Sequence, residues 1–289
     1  MITSGSTGLQ GIIDEKYDSL AGKGKVLADF VRSRPDKAVF MTTRQLGAAA
    51  GGISEATVVR FVRQLGYDSY AGFISALRDL IDREFTLMER RRMTQPIMGR
   101  EDKELDWLIS QDITNIKAMQ NQVDPVRIKA VRKILRESPA VFVMGARLSY
   151  SSAHYMGWTM GKIRKNVSIL NGSDRTTMDQ MVFAPTGTCV VVISTSRYPN
   201  ELIRLGKIAR RQKFKQILIT DSSSCPLVPF SDHTLVAPQA SVPFLGNPTS
   251  LISLIHYLLN CLAGDMKEEL KTYQEKLEQA YLENDIWFN

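Results

Sequence analysis

The chain is short of the residues that do most covalent and metal chemistry: in 289 positions it has three cysteines and three histidines. Cys189, Cys225 and Cys261 are far apart, odd in number and set among apolar or turn residues, with no CxxC or Cys/His spacing. That pattern excludes a disulfide framework and a sequence-local zinc site; reduced core thiols in a cytoplasmic protein are expected. No apolar run approaches the roughly 18 residues of a membrane helix. The opening MITSGSTGLQG lacks the charged-then-apolar plan of a secretory signal, and a frayed tail is expected there. Also missing are a P-loop, a dinucleotide-binding glycine fingerprint and a Gly-x-Ser-x-Gly elbow. Neither cofactor nor metal is expected.

What remains is a globular composition, 44% hydrophobic and 23% charged, in a chain long enough for two ordinary cores. A net charge of +7 and a pI near 9.3 suit a polyanionic partner.

The first quarter reads as helices. Leu20, Val26, Leu27, Phe30 and Val31 recur at helical spacing until Pro35 stops the run. Asp36 can cap a short helix carrying Ala38, Val39 and Phe40, and Thr42 and Thr43 offer caps for a third, RQLGAAA. Its small residues permit close approach of another helix, and Gly51-Gly52 ends it where a positive φ costs little. Ser54 then stands as N-cap of SEATVVRFVRQLGYDSYAGF, whose Val58, Phe61, Val62 and Leu65 share one face. Glu55, Thr57, Arg60 and Arg63 are left facing outward, as on the second helix of a helix-turn-helix entering a major groove. A longer helix restarts at Ser69, with Phe73, Leu77, Leu80, Ile81 and Phe85 on one side, and runs into Glu89-Arg90-Arg91-Arg92.

The stretch TTRQLGAAAGGISEATVVRFVRQLGYDSYAGF resembles the N-terminal helix-turn-helix of the RpiR/MurR family of bacterial transcription regulators, over roughly residues 9–85. The resemblance implies double-stranded operator DNA as partner, with Thr43, Arg44, Ser54, Glu55, Thr57, Arg60 and Arg63 as DNA-contacting residues. One departure is that Leu46 to Ser54 runs one residue longer than the family's spacing, at Gly51-Gly52, which predicts an altered turn.

Residues 86–104 read as a linker, with Pro, Gly and charges mixed in MTQPIMGREDK. Apolar positions Leu105, Leu108, Ile109, Ile113, Ile116 and Met119 follow at helical spacing. Asp124-Pro125 then starts a helix with a stripe of Val126, Ile128, Val131, Ile134 and Leu135. Beyond it, β-rich runs at 140–144, 167–170, 189–194, 216–220 and 233–238 alternate with helical stretches at about 150–164, 174–183, 199–213 and 248–263. Alternation of this kind predicts a five-stranded parallel sheet covered on both faces, with ligand loops beyond the strand ends. Those loops are GARLSYSSA at 145–153, STSRYPNE at 194–201 and TDSSSCPL, and the first two feed helix N-termini suited to a phosphate or carboxylate.

VFVMG, the serine loop at 194, ILITD and CPL, in that order, resemble a SIS domain, the sugar-phosphate-binding module of the same family. The expected architecture is therefore all-α followed by α/β: a helix-turn-helix bundle at 9–85, a linker at 86–104, a SIS sandwich with leading helices at 105–264 and a C-terminal helix at 265–289. The family's Gly-x-Gly-x-Ser loop is matched by Gly145 and Ser149, with Arg147 at the second glycine. Its Ser-x-Ser-Gly-x-Thr loop is matched by Ser194 and Ser196, with Arg197 at the glycine and Pro199 at the threonine. Guanidinium forks suit anions, so Gly145, Arg147, Ser149, Ser194, Ser196 and Arg197 are expected to bind a small anionic effector such as a sugar phosphate or sugar acid.

SIS scaffolds also carry aldose-ketose isomerases, and a sugar-phosphate isomerase is the alternative. That chemistry wants a base and an acid, usually Glu and His. His154, His233 and His256 read as packed or structural, and Glu201 as the one acid near the second loop. A non-enzymatic regulator, homodimeric or homotetrameric, bound to twofold-related half-sites, is the stronger expectation.

Overall fold

The computed structural model describes residues 8–84, 86, 88–89, 101–172, 175–238 and 246–286. They fall into two compact units that divide between Gln111 and Asp112. Phe85, Arg90 to Arg92 and most of the expected linker lie outside the described residues.

The first unit contains α1 (Leu9–Lys16), α2 (Gly22–Ser33), α3 (Pro35–Ala38), α4 (Thr43–Ala49), α5 (Glu55–Gln64) and α6 (Tyr70–Glu84). Their apolar stripes meet in one cluster that includes Ile13, Leu27, Leu46, Val58, Phe61, Phe73, Leu77 and Ile81. Each such side chain contributes about 1.5–3 kcal/mol when fully buried. Phe61 and Phe73 meet edge to face at 6.1 Å. The expected frayed tail is corrected from Leu9 onward, because Leu9 and Ile13 are buried in this cluster and order the segment as α1. Val26 is corrected too: it is exposed, and α2 packs through Leu27, Ala28 and Val31.

Helix α4 begins with a reciprocal cap. The Thr42 hydroxyl accepts from the Gln45 N–H at 3.3 Å, and the Thr42 N–H donates to Gln45 Oε1 at 2.9 Å. It ends in Gly51 and Gly52, with φ of 100° and 76°, values that suit glycine alone among ordinary residues. The Ile53 N–H then donates to the Gly47 carbonyl at 2.7 Å. A Cβ on Gly47 would lie 2.0 Å from the Ile53 carbonyl oxygen, so only glycine permits this crossing of α4 and α5.

The second unit holds the second half of α7 (Glu101–Gln122), then α8 (Pro125–Glu137), β1 (Val141–Gly145), α9 (Leu148–Gly161), β2 (Val167–Asn171), α10 (Arg175–Val182), β3 (Cys189–Ser194), α11 (Asn200–Arg211), β4 (Lys215–Thr220), β5 (His233–Val236) and α12 (Thr249–Glu283). All strand pairings are parallel, in the order β2-β1-β3-β4-β5. Successive strand residues point to opposite faces. Val143, Val191, Ile193, Ile217 and Ile219 join Val131, Met156, Leu254 and Leu258 on one side. Met144, Val190, Val192 and Leu218 join Met181, Leu202 and Leu205 on the other. The result is the expected α/β/α sandwich.

Local chemistry sets the joints. Asp124 caps α8 by accepting from the Val126 N–H at 2.9 Å. At the other end of α8 the Arg164 guanidinium donates to the Leu135 and Ser138 carbonyls, satisfying groups that have no partner within the helix. Burial pushes the Cys189 thiol up to about 12, which keeps it a neutral core group.

Two apolar expectations are corrected. Leu105, Leu108, Ile109 and Ile113 of α7 are exposed and only Met119 of that stripe is buried; Val126 is 78% exposed, which narrows the α8 stripe. The C-terminal helix expected from residue 265 is set off from the helix before it by a non-helical break at Lys267, where φ is 29°; the two segments together are α12, which ends at Glu283. Beyond the break the Tyr273 hydroxyl donates to the Gly161 carbonyl at 2.8 Å.

Candidate functional site

In the first unit the structure sets two helix starts side by side. The Thr43 hydroxyl, in the first turn of α4, donates to Glu55 Oε2 in the first turn of α5 at 2.9 Å. Arg44, Ser54, Glu55, Arg60 and Arg63 are exposed, while Thr43 and Thr57 are half-buried. Val58, Phe61, Val62 and Leu65 are buried, so α5 turns Ala56, Arg60 and Arg63 away from the core. Ser54 occupies the N-cap position, but its hydroxyl meets the Thr57 hydroxyl at 3.0 Å instead of an N–H of α5. The unsatisfied N–H groups of that first turn remain available to a phosphate.

In the second unit, β1 and β3 are neighbours, while β2 lies on the outer side of β1. The chain thus reverses its direction of travel across the sheet between β1 and β3, which is where parallel sheets open a crevice at their carboxyl ends. Gly145 closes β1 and Ser194 closes β3. A Cβ on Gly145 would meet the Ser149 carbonyl oxygen at 2.6 Å, so this glycine lets α9 begin close against the strand.

The two loops are tied together. The Ser149 and Thr195 hydroxyls are 3.1 Å apart, and the Thr195 N–H donates to Ser149 Oγ at 3.3 Å. Asp221, which follows β4 and is buried, accepts from the Ser196 N–H at 2.9 Å and also from the Ser196 hydroxyl. The hydroxyls of Tyr198 and Thr220 lie 3.4 Å from its other oxygen. The expectation that Glu201 is the acid near the second loop is therefore corrected: Asp221 bonds that loop, and Glu201 lies against Gly172 beyond β2. Thr195 and Tyr198 were not singled out in the sequence, whereas Asp221 stands in the TDSSSCPL loop expected at the ligand end of the sheet. The signal for Asp221 was its place just after a central strand.

Both loop arginines stand in left-handed backbone. Arg147 has φ 54° and ψ −128°, and Arg197 has φ 67°. A non-glycine residue held in such backbone costs about 1–3 kcal/mol. Both side chains are exposed. Ser194 is fully buried and its hydroxyl has no hydrogen-bond partner among the described residues. An unpaired buried hydroxyl costs about 1–3 kcal/mol unless a ligand or a water completes it.

The histidines lie elsewhere. His154 is exposed on α9 beside the Tyr150 ring, His233 is half-buried at the start of β5, and His256 is exposed with its Nδ1 2.9 Å from the Tyr155 hydroxyl. Among the described residues no group of three His, Cys, Asp or Glu side chains could hold a metal, and no helix is long and apolar enough to cross a membrane.

Comparison with known proteins decides the family. A model of the helix-turn-helix domain of the rpiR family matches residues 7–84, and a SIS domain model matches residues 134–263. The chain belongs to the RpiR family. It is similar to an uncharacterized HTH-type transcriptional regulator of Clostridium perfringens, 23% identical over 258 residues, covering 88% of this chain and 90% of that one. A second such regulator, from Thermotoga maritima, is 22% identical over 225 residues, with 77% and 79% covered. Among solved structures, the sugar isomerase domain of an RpiR transcription factor from Sphaerobacter thermophilus superposes with a TM-score of 0.59 at 21% identity. It covers 62% of this chain and 99% of its own. The Vibrio vulnificus NanR protein complexed with ManNAc-6P superposes with a TM-score of 0.57 at 17% identity, covering 98% of this chain and 100% of its own. As an RpiR-family member the chain is a DNA-binding transcription regulator with a SIS domain, and its relatives carry the names of regulators.

Proposed function

We propose that this RpiR-family regulator represses genes for uptake or catabolism of a carbohydrate or related carbon source, and that an anionic, phosphosugar-like effector in the SIS domain controls it. The observation that carries the effector site is the pair of arginines held in glycine-type backbone on two loops that meet at the sheet's reversal point. Strain of this kind persists where the surrounding structure holds it for a purpose. The unpaired Ser194 hydroxyl at the end of β3 supports the same reading.

The chemistry differs from a simple hydroxyl cradle. Ser196 gives its N–H and its hydroxyl to Asp221, and the Thr195 N–H goes to Ser149, so those donors are already engaged. Arg147 and Arg197 add positive charge on the two loops, with Gly145, Ser149 and Ser194 shaping the floor, and the start of α11 adds N–H groups. That donor set fits a phosphate or a carboxylate. The V. vulnificus protein, complexed with ManNAc-6P, supports a sugar-phosphate class.

On the DNA side, Thr43, Arg44, Ser54, Glu55, Thr57, Arg60 and Arg63 form the contacting surface, Arg60 and Arg63 reaching guanine edges or phosphates. One helix-turn-helix reads few base pairs, so a homodimer or homotetramer on paired half-sites is part of the reading, in the cytoplasm. An effector that binds one arrangement of paired SIS domains better than another shifts operator affinity by its differential binding energy.

The test is binding of the purified protein to DNA from upstream of its own gene, at stated salt, with and without a panel of sugar phosphates and sugar acids. Release of a sequence-specific complex by one compound is the expected outcome. Binding that no compound alters would remove the effector mechanism, and binding without sequence preference would remove the operator.

A further inference from the structure

The outward face of α5 carries something that charge does not account for. Val59 is exposed at 37%, in the middle of the recognition helix, and Ala56 one turn before it is exposed as well. Residues three apart on a helix are neighbours, so their methyl groups form one small apolar spot. Charged groups frame it: Glu55 on one flank, held by Thr43, Arg60 on the other, and Arg63 one turn further along the same stripe. A lone surface valine is ordinary. This one sits on the face that a helix-turn-helix lays against base edges.

We propose that Val59, with Ala56 beside it, is a sequence-reading residue that packs on the 5-methyl group of a thymine in the major groove. The inference rests on the DNA-binding reading of α5. Its chemistry follows from what a groove displays. Each base pair shows hydrogen-bond donors and acceptors there, and thymine alone adds an apolar group. The Val59 side chain can neither donate nor accept, so the methyl is the one base feature it can favour. Glu55 has one oxygen bonded to Thr43 and a second oxygen suited to the amino group of a cytosine. The helix therefore pairs a hydrogen-bonding reader with a methyl reader one turn later.

The operator half-site is first obtained by selection from a randomised duplex library with the full-length protein. Each thymine in it is then replaced in turn by deoxyuridine, which pairs identically and lacks only the methyl. At one position per half-site the wild-type protein is expected to lose about fourfold in affinity, the equivalent of one buried methyl. Val59→Ala is expected to bind the intact site more weakly by a similar factor and to show no further loss with deoxyuridine at that position, a coupling that general weakening does not produce. Because Val59 lies outside the core, the variant's melting temperature should match wild type. Indifference of the wild-type protein to deoxyuridine at every thymine overturns the proposal, as does an equal loss in wild type and Val59→Ala. A selection that yields no preferred site fails the DNA reading itself, and the inference falls with it.

Discussion

The glycine turn between α4 and α5 and the two loops at the ends of β1 and β3 ask the same thing of the backbone and answer it with opposite residues. Gly51 and Gly52 take their positive φ without strain, and nothing lies within 4 Å of where their Cβ atoms would be. Arg147 and Arg197 take positive φ with a Cβ and a long cationic side chain attached. The first region gives up nothing beyond chain entropy to make a corner. The second accepts about 1–3 kcal/mol per residue, which makes sense where the side chain is needed at that spot.

The largest effect should come from removing the glycine that makes the turn's other contact. Gly47→Ala places a methyl against the Ile53 carbonyl and should destabilise the first unit by about 3 kcal/mol or more, with loss of operator binding. Urea unfolding of the full chain, followed by a probe of the helical unit, measures it. A variant as stable as wild type would mean that the α4–α5 crossing is not fixed by that contact.

Next in size is the function assigned to the strained loops. Arg147→Ala and Arg197→Ala should each weaken effector release of the operator complex by about tenfold or more, in line with loss of a charge-assisted bond. Operator affinity without effector should stay unchanged. Effector titrations of a fixed protein–DNA complex read both quantities, and wild-type behaviour from both variants would return the arginines to the solvated surface.

The smallest effect sharpens the contrast most. Arg147→Gly should be more stable than Arg147→Ala by about 1 kcal/mol, because glycine alone is at ease at that φ. Gly52→Ala should lose about 1 kcal/mol, since the added methyl has space but not a favoured backbone. Paired thermal melts test the sign at each position. If alanine beats glycine at 147, the backbone there is not under strain.

Much of this was legible in the chain itself. The five strands announced themselves as short apolar runs between helices, and the capped start of α4 was visible in Thr42, though the reciprocal bond from Gln45 was not read. The loops were found because strand ends are where such sheets bind. What escaped is mostly long-range. Asp221 reaches Ser196 across 25 positions, and nothing local in either residue declares the bond. The burial of Leu9 and Ile13 depends on a cluster built by helices further along, so a polar-looking leader concealed α1. Periodicity placed Leu105, Leu108, Ile109 and Ile113 on one face of α7, but periodicity gives a face and not its cover. The change from apolar to charged composition near Asp265 lies two residues from the backbone interruption within α12, at Lys267.

The clasp between Gly47 and Ile53 bears on how the corner between α4 and α5 is closed. The Ile53 N–H bonds the Gly47 carbonyl, and the Ile53 carbonyl fills the space that a side chain on Gly47 would need. Both ends of the corner are thus pinned, and between them Ala48 and Ala49 finish α4 while the Gly51 and Gly52 N–H groups fold back onto the Ala48 carbonyl. The corner is a closed latch with no spare length, and α5 leaves it on a bearing that its two ends set together.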